Sequence, residues 1–314
     1  MGGLWTELGK KLADRWLSLL VLPGVLYVAT AAAAHTLGQR HALDAAMLVQ
    51  EVTTVAKQPA VTGVGGQIVL VGAILIASAA AGLFAEAAGA LVERLVLAVG
   101  WKAWPLGLPV LADWWVRRRQ RRWDDAHRVY HEQQRLTLAP DPDDRPDPAV
   151  GRAALARRTR IALERPERPT WSGDRVQAVA LRLDRDHSLD LATLWPYLEP
   201  VLPEALGTRI SEARAALARA TTLAGWAVLY ALPVWWWWPA APVTLVLAAA
   251  ARHRTRSCVD TYARLLDVAA RLHIPDLAAQ LGFDHADPLT PDLGARLTHH
   301  LRSEPLPPPV STGS

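Results

Sequence analysis

Apolar residues are gathered into a few uninterrupted runs, and charged residues fall between them. Residues 16–34 and 67–85 carry no charge, and each run is close to the roughly 20 residues that a helix needs to cross about 30 Å of hydrocarbon. A third apolar region, residues 222–251, is interrupted by Pro239 and Pro242. The pattern predicts an all-α integral membrane protein with two spanning helices, a short helical hairpin at 222–251 and a small cytoplasmic helical module.

The hairpin at residues 222–251 is open to two interpretations. Its return limb, residues 240–251, would rise only about 18 Å as a helix, so spanning requires Arg252 and its neighbours to extend toward the headgroups. The alternative is a re-entrant hairpin. Both arrangements return the chain to the side it left. Amphipathic indoles favour membrane interfaces, so we expect Trp235, Trp236, Trp237 and Trp238 to lie at the membrane surface.

The distribution of basic residues predicts the orientation. Lys10, Lys11 and Arg15 precede the first segment and an arginine cluster follows the second, whereas only Arg40 and Lys57 lie between them. The positive-inside rule then predicts a cytoplasmic N-terminus (1–15), an external loop (35–66) and a cytoplasmic C-terminus, in the inner (plasma) membrane of a bacterial cell. A cleaved signal peptide is the alternative for the first segment, and it leaves the later topology unchanged.

Residues 86–138 are predicted to form cytoplasmic helices at the membrane interface. We expect the second spanning helix to continue to about Trp104, before Pro105, and another helix to begin near Leu108. This next helix places Leu108, Leu111 and Trp115 on one face and leads into a basic cluster. The predicted membrane-surface residues are Arg117, Arg118, Arg119, Arg121 and Arg122.

A Pro- and Asp-rich stretch, residues 139–149, predicts a linker before a cytoplasmic helical module at 150–221. Within the module we expect a helix over 174–186 capped by Thr170 or Ser172, and a short helix that Ser188 caps and Pro196 ends. Pro203 suits the first turn of a long helix that runs into the hairpin.

A cytoplasmic helix is predicted after the hairpin, over residues 252–283. It carries an apolar stripe that should pack against the module: Val259, Tyr262, Leu265, Leu266, Ala269 and Leu272. Residues 284–314 are expected to form a disordered Pro-rich tail, with a weak amphipathic helix beginning at Thr290-Pro291.

Composition says more about the expected binding partners than about the fold. The chain has 314 residues, a net charge of +4 and a single cysteine, which excludes an internal disulfide within one monomer. Because the basic residues cluster at the ends of apolar runs, membrane lipids are the expected partner rather than nucleic acid. A soluble cytoplasmic protein and a second copy of the chain are the further partners considered.

No convincing catalytic or metal site is apparent, and we predict no cofactor. His127 and His131 are four residues apart, but Arg128 stands where a zinc protease motif requires Glu. His299-His300 with His285 falls in the predicted tail. Gly63, Gly65 and Gly66 lead directly into a membrane segment, so they are interpreted as a flexible helix entry.

The predicted spans contain no ionisable side chain, which argues against an ion-coupled transporter with a path through one monomer. Small residues in the second span, Gly72 and 77–82, permit close helix packing. They are compatible with an oligomeric pore or with ordinary packing inside one subunit.

The order of several dipeptides carries a resemblance. Pro169-Thr170, Gly173-Asp174, Leu189-Asp190, Trp195-Pro196 and Leu202-Pro203 precede the Trp-rich hairpin, and Tyr262 and Leu272-His273 follow it. This order resembles a group of uncharacterised bacterial multi-pass membrane proteins with a Pro-Thr-x-x-Gly-Asn stretch before a Trp-Pro pair. The resemblance covers roughly residues 67–275, and Asp174 departs from the group's Asn. It implies a multi-pass architecture with a cytoplasmic module at 169–203, and no activity.

The leading functional hypothesis is a non-enzymatic membrane anchor or scaffold that binds a soluble partner through residues 150–221 and 255–283. Thr170 and Trp195 are the candidate partner-binding residues, with helix capping and core packing as their structural alternatives. Two other hypotheses are an oligomerising, membrane-perturbing effector or pore, and an interfacial lipid-acting enzyme that would depend on His127, His131 or Asp174.

Overall fold

The computed structural model describes residues 22–58, 63–105, 107–138, 146–283 and 289–302, and within these ranges it contains helices and no strand. This confirms the all-helical class. The α-helices are α1 (Leu22–Leu37), α2 (Ala45–Ala56), α3 (Val64–Leu97), α4 (Leu108–Thr137), α5 (Pro148–Ile161), α6 (Trp171–His187), α7 (Leu191–Leu198), α8 (Glu204–Ala231), α9 (Ala240–Gln280) and α10 (Pro291–Arg302). Short 3₁₀ turns occupy Trp101–Ala103, Glu199–Val201 and Pro233–Trp235.

The chain divides into two compact units. The described residues of the first, here called the apolar unit, lie within 22–93 and 218–255. Those of the second, the polar unit, lie within 94–217 and 256–302. Helices α3, α8 and α9 each pass from one unit into the other along the chain.

Among the described residues, two helical segments are long and apolar enough to cross a membrane: Val64–Leu97 and Glu204–Trp235. Their most apolar 18-residue windows are only 22% and 33% buried. The predicted second span and the first limb of the hairpin therefore meet the length and composition required. Helix α1 is shorter, and residues 16–21 of the predicted first span lie outside the described residues.

Small residues in α3 allow close packing within the apolar unit. A Cβ added to Gly225 of α8 would overlap the backbone oxygen of Ala85, and one on Gly89 would lie 2.7 Å from the Cα of Thr222. Gly24 of α1 meets the backbone of Ser78 in the same way. Ser78, Ala81 and Gly82 are also buried, so part of the predicted small-residue face of α3 is used for packing inside one subunit.

The segment predicted as an external loop, 35–66, contains helix α2. Asp44 begins it, because its carboxylate accepts a hydrogen bond of 3.0 Å from the Met47 N–H. The following Ala45–Ala56 sequence lacks glycine and proline, so the helix continues for 12 residues. The prediction had no helix here.

The core of the polar unit is built from four helices. Leu183 of α6, Leu194 and Leu198 of α7, Ile274 of α9 and Leu297 of α10 are all fully buried in one hydrophobic cluster. This confirms that the helix after the hairpin packs against the module. Leu272 is an exception within its predicted stripe, since 63% of it is exposed.

Several predicted boundaries are wrong. Helix α3 ends at Leu97 rather than near Trp104, because Ala98 and Gly100 adopt left-handed backbone conformations, with φ of 49° and 63°. Asp190, and not Ser188, caps α7, and its side chain accepts a 3.1 Å bond from the Ala192 N–H. Ser188 instead ends α6 with φ of 52°.

Pro196 does not end α7, which continues to Leu198. Proline at this sixth helical position removes one backbone donor and leaves the rest of the short helix in place. The predicted long helix after Pro203 is confirmed as α8.

The tail predicted as disordered contains a packed helix. In α10, Leu293 and Leu297 enter the core, and Gly294 lies so close to the His187 carbonyl that a Cβ would clash. The rest of the tail, 284–288 and 303–314, lies outside the described residues, as does 139–145 of the linker. The linker's end begins α5, where the Asp147 carboxylate accepts from the Ala149 N–H at 2.7 Å.

Candidate interaction surfaces

The basic cluster of α4 is divided between two faces of the helix. The side chain of Arg119 is only 14% exposed and points into the polar unit. Arg117, Arg118, Arg121 and Arg122 are exposed on the other side. Grouping Arg119 with the membrane-surface residues is therefore wrong, because at about 100° per residue it lies roughly opposite Arg117 and Arg121, two positions away on either side.

Arg119 and Asp174 form a buried ion pair between α4 and α6. The guanidinium of Arg119 also donates to the carbonyls of Arg168 at 2.8 Å and Ile161 at 3.1 Å. The second carboxylate oxygen of Asp174 accepts from the backbone N–H groups of Glu167 and Arg168, at 3.0 and 2.8 Å. Burial raises the pKa of the Asp174 carboxyl, and Arg119 and the two N–H groups oppose that rise.

Thr170 is a structural residue at the start of α6. Its hydroxyl accepts from the Gly173 N–H at 3.0 Å and donates to the Val96 carbonyl near the end of α3. Arg168 donates to the neighbouring Leu97 carbonyl at 2.9 Å. The predicted capping role is confirmed, and the hydroxyl is engaged inside the fold rather than available to a partner.

Gly173 explains another part of the Pro169–Asp174 sequence. A Cβ there would lie 2.7 Å from the Leu97 oxygen and 2.8 Å from the Thr170 hydroxyl. The resemblance drew attention to these residues but gave them no role. In the structure, the residues of this stretch join the end of α3 to the start of α6. Their contacts with Val96 and Leu97 could not be predicted from the local spacing of residues.

Trp195 is partly buried and packs against the core of the polar unit. Two residues further along α7, Tyr197 is 47% exposed. Core packing, the structural alternative for Trp195, thus accounts for much of its side chain. Tyr197, which sequence reasoning did not select, is the more accessible aromatic residue of this helix.

The tryptophan run at residues 235–238 is held by a residue that sequence reasoning missed. The Gln39 side-chain amide donates to the Trp235 carbonyl at 3.0 Å, and its oxygen accepts from the Trp238 N–H at 3.1 Å. Trp237 donates from Nε1 to the Ala42 carbonyl at 2.9 Å. Trp235 is 89% exposed, and Trp236 and Trp238 are about half exposed. No local sequence signal connects Gln39 to this turn.

His127 is part of an aromatic stack. Its ring lies 4.4 Å from Trp123 and 4.2 Å from His131, measured between ring centroids. Burial, followed by the nearby His131 and Arg158, lowers the pKa of His127 below its ordinary value. In the described ranges, no group of three or more His, Cys, Asp or Glu side chains is arranged to hold a metal ion.

A shallow groove lies between the end of α6 and α10. It is lined by Asp184, Ser188, Asp190, Thr298, His299 and Arg302. Within it Arg302 pairs with Asp190 at 2.6 Å, and the Thr298 hydroxyl donates to the Ser188 carbonyl at 3.3 Å. These bonds attach α10 to the segment that follows α6, so the polar groups that form them serve the fold.

Comparison with known proteins adds no relative to this picture: no protein-family model matches the chain, and neither curated proteins nor solved structures give a significant match.

Proposed function

We propose that the protein is a non-enzymatic membrane anchor or scaffold. Its apolar unit inserts into the cell membrane, and its polar unit binds a soluble protein partner on the cytoplasmic side. The observation that carries the proposal is the exposed apolar surface of α3. Ile68, Val69 and Ile76 are each about 70% exposed, and large apolar residues cover most of the helix circumference. A helix that is apolar all round requires either a protein core or a lipid environment.

The polar unit supports the second half of the proposal. Its helices bury their own core and are joined by ion pairs, including Arg175 of α6 with Asp260 of α9 and Arg182 with Glu164. Such a folded module gives a rigid support for recognition. On its surface we assign partner contact to Tyr197 together with the accessible edge of Trp195, because aromatic residues dominate protein interfaces.

The oligomeric pore is less well supported. Gly24 of the same chain packs on Ser78, and Ala81 and Gly82 are buried, so part of the small-residue face is occupied. Ala77 remains exposed and Gly72 is half-buried. No observation favours the lipid-acting enzyme, since Asp174 is enclosed by its hydrogen bonds and His127 by its ring contacts.

The test combines membrane extraction with in-cell crosslinking of the full chain. We expect the protein to remain in the membrane after alkaline carbonate treatment and to capture a stoichiometric soluble protein. Tyr197→Ala should weaken that capture by about tenfold or more, the loss typical of an interface hot spot. Val129→Ala, at another half-exposed apolar position of the polar unit, is the matched control.

Two results would count against the proposal separately. Release of the chain by carbonate would contradict the anchor. Recovery of self-crosslinked oligomers alone, unchanged by Tyr197→Ala, would contradict the scaffold and favour the pore.

A further inference from the structure

The outward face of α4 changes character along the helix axis. Its first two turns present Val110, Leu111 and Trp114, which are 76%, 56% and 50% exposed. The next turns present Arg117, Arg118, Arg121 and Arg122. Beyond them, Asp125, Arg128 and Glu132 give a face of mixed charge.

This axial order differs from that of a helix lying flat on a membrane. A flat helix carries an apolar stripe along its whole length. Here the inner side of α4 is already covered, because Ala112, Val116, Trp123 and Ala126 are buried. Apart from the single residue Val129, the exposed large apolar residues of α4 lie within about 12 Å at one end, given a rise of 1.5 Å per residue.

The residues around the apolar end are those favoured at a lipid–water boundary. Trp114 and Trp115 contact each other edge to face, with centroids 5.0 Å apart, and the Arg118 guanidinium lies over both rings. Before the helix, Lys102 lies 5.9 Å from the Trp101 ring. Indole rings and basic side chains in this combination favour the headgroup region.

The positive charge of the exposed arginine residues of α4 indicates the class of lipid that this helix contacts. In the described part of the chain Arg121 and Arg122 form no ion pair, and Arg117 is balanced by Asp113 alone. A cationic zone next to exposed aromatic and aliphatic side chains is complementary to anionic phospholipid headgroups over an acyl layer.

We infer that the N-terminal end of α4 inserts into an anionic phospholipid surface, with Val110, Leu111 and Trp114 in the acyl boundary and Arg117, Arg118, Arg121 and Arg122 at the phosphates. The inference deepens the proposed function and rests on it, because it names a lipid class for the membrane that the apolar unit enters. Arg119 has a different role, since its bond to Asp174 fixes the direction in which this end of α4 points relative to α6.

The test uses the full chain in lipid nanodiscs. In a Cys258→Ser background, Val110→Cys is labelled with an environment-sensitive fluorophore, and Val129→Cys, an exposed position further along α4, serves as the control. The two positions are about 28 Å apart along the helix. Discs contain phosphatidylcholine alone or mixed with phosphatidylglycerol, with a fixed fraction of nitroxide-labelled lipid as quencher.

We expect strong quenching at position 110 in discs with phosphatidylglycerol, weaker quenching in phosphatidylcholine alone, and little at position 129 in either. Each arginine near an anionic surface contributes roughly a fivefold preference. Arg121→Gln with Arg122→Gln should therefore sharply reduce the dependence on phosphatidylglycerol, whereas Arg128→Gln should leave it unchanged.

Equal quenching at positions 110 and 129 would overturn the insertion. Equal quenching at position 110 in both lipid mixtures would overturn the selectivity for anionic lipid. In either case a chain that has incorporated into the discs leaves the anchor proposal intact, whereas a chain that fails to incorporate contradicts the anchor and this inference together.

Discussion

At the scale of single residues, Asp174 is a buried carboxylate that connects three parts of the polar unit. It joins α4 through Arg119, the preceding loop through two backbone N–H groups, and α6 through its own position in the first turn. A buried charge with this many partners is destabilising when one partner is removed, although the intact pair itself contributes little net stability.

Asp174→Ala should therefore lower the free energy of unfolding by about 3–5 kcal/mol, because Arg119 would remain buried without its counter-charge. Asp174→Asn should cost less, since the amide oxygen still accepts the two N–H bonds. Thermal denaturation of the purified chain in detergent measures both. The single variant Arg119→Ala and the double variant Arg119→Ala, Asp174→Ala are the controls. If the double variant loses as much stability as Arg119→Ala and Asp174→Ala lose together, the two residues are not coupled.

The lowered pKa of His127 predicts a pH dependence. Its folded-state pKa lies below the unfolded value of about 6.5, so the unfolded chain binds more protons between these two pKa values. Its contribution to stability is present above pH of about 6.5 and is lost as the pH falls. Asp124 and Glu164, which raise the pKa, limit the effect.

The melting temperature of the full chain, followed from pH 8 to 5.5, measures this dependence. His127→Phe keeps a ring against Trp123 but cannot titrate, so it should flatten the profile between pH 7 and 5.5. An unchanged profile in His127→Phe would assign the dependence to another group.

At the scale of elements, α10 shows how a short amphipathic helix becomes part of a core. Leu293 and Leu297 are four residues apart and enter the same cluster, while Gly294 between them permits close approach to the end of α6. The sequence indicated a weak helix beginning at Thr290-Pro291, but its burial depends on the surface that α6, α7 and α9 form together.

Leu297→Ala should destabilise the polar unit by about 2–5 kcal/mol, because a fully buried leucine leaves a cavity when truncated. Arg296→Ala, at an exposed position of the same helix, should change stability by less than about 0.5 kcal/mol. Thermal denaturation of the two variants provides the comparison. Equal, small effects would mean that α10 is not attached to the core.

At the scale of the whole molecule, the division into an apolar and a polar unit follows the distribution of side chains along the chain. The long exposed apolar helices belong to residues 22–93 and 218–255, and most ion pairs belong to residues 94–217 and 256–302. The proposed anchor and scaffold roles each depend on one unit. Crosslinking and nanodisc incorporation address them separately.

The sequence by itself determined the helical class, the span-like length and composition of the second predicted span and of the first limb of the hairpin, and local features such as the Thr170 cap. These depend on periodicity, run length and neighbouring residues, which are local properties. Tertiary structure decided that Arg119 turns inward, that Gln39 holds the turn at Trp235–Trp238, and that α10 is buried. Arg119 and Gln39 depend on partners 55 or more positions away in the sequence, Asp174 and the Trp235 carbonyl respectively, and α10 depends on a surface that three other helices form together, so no local pattern contains these outcomes.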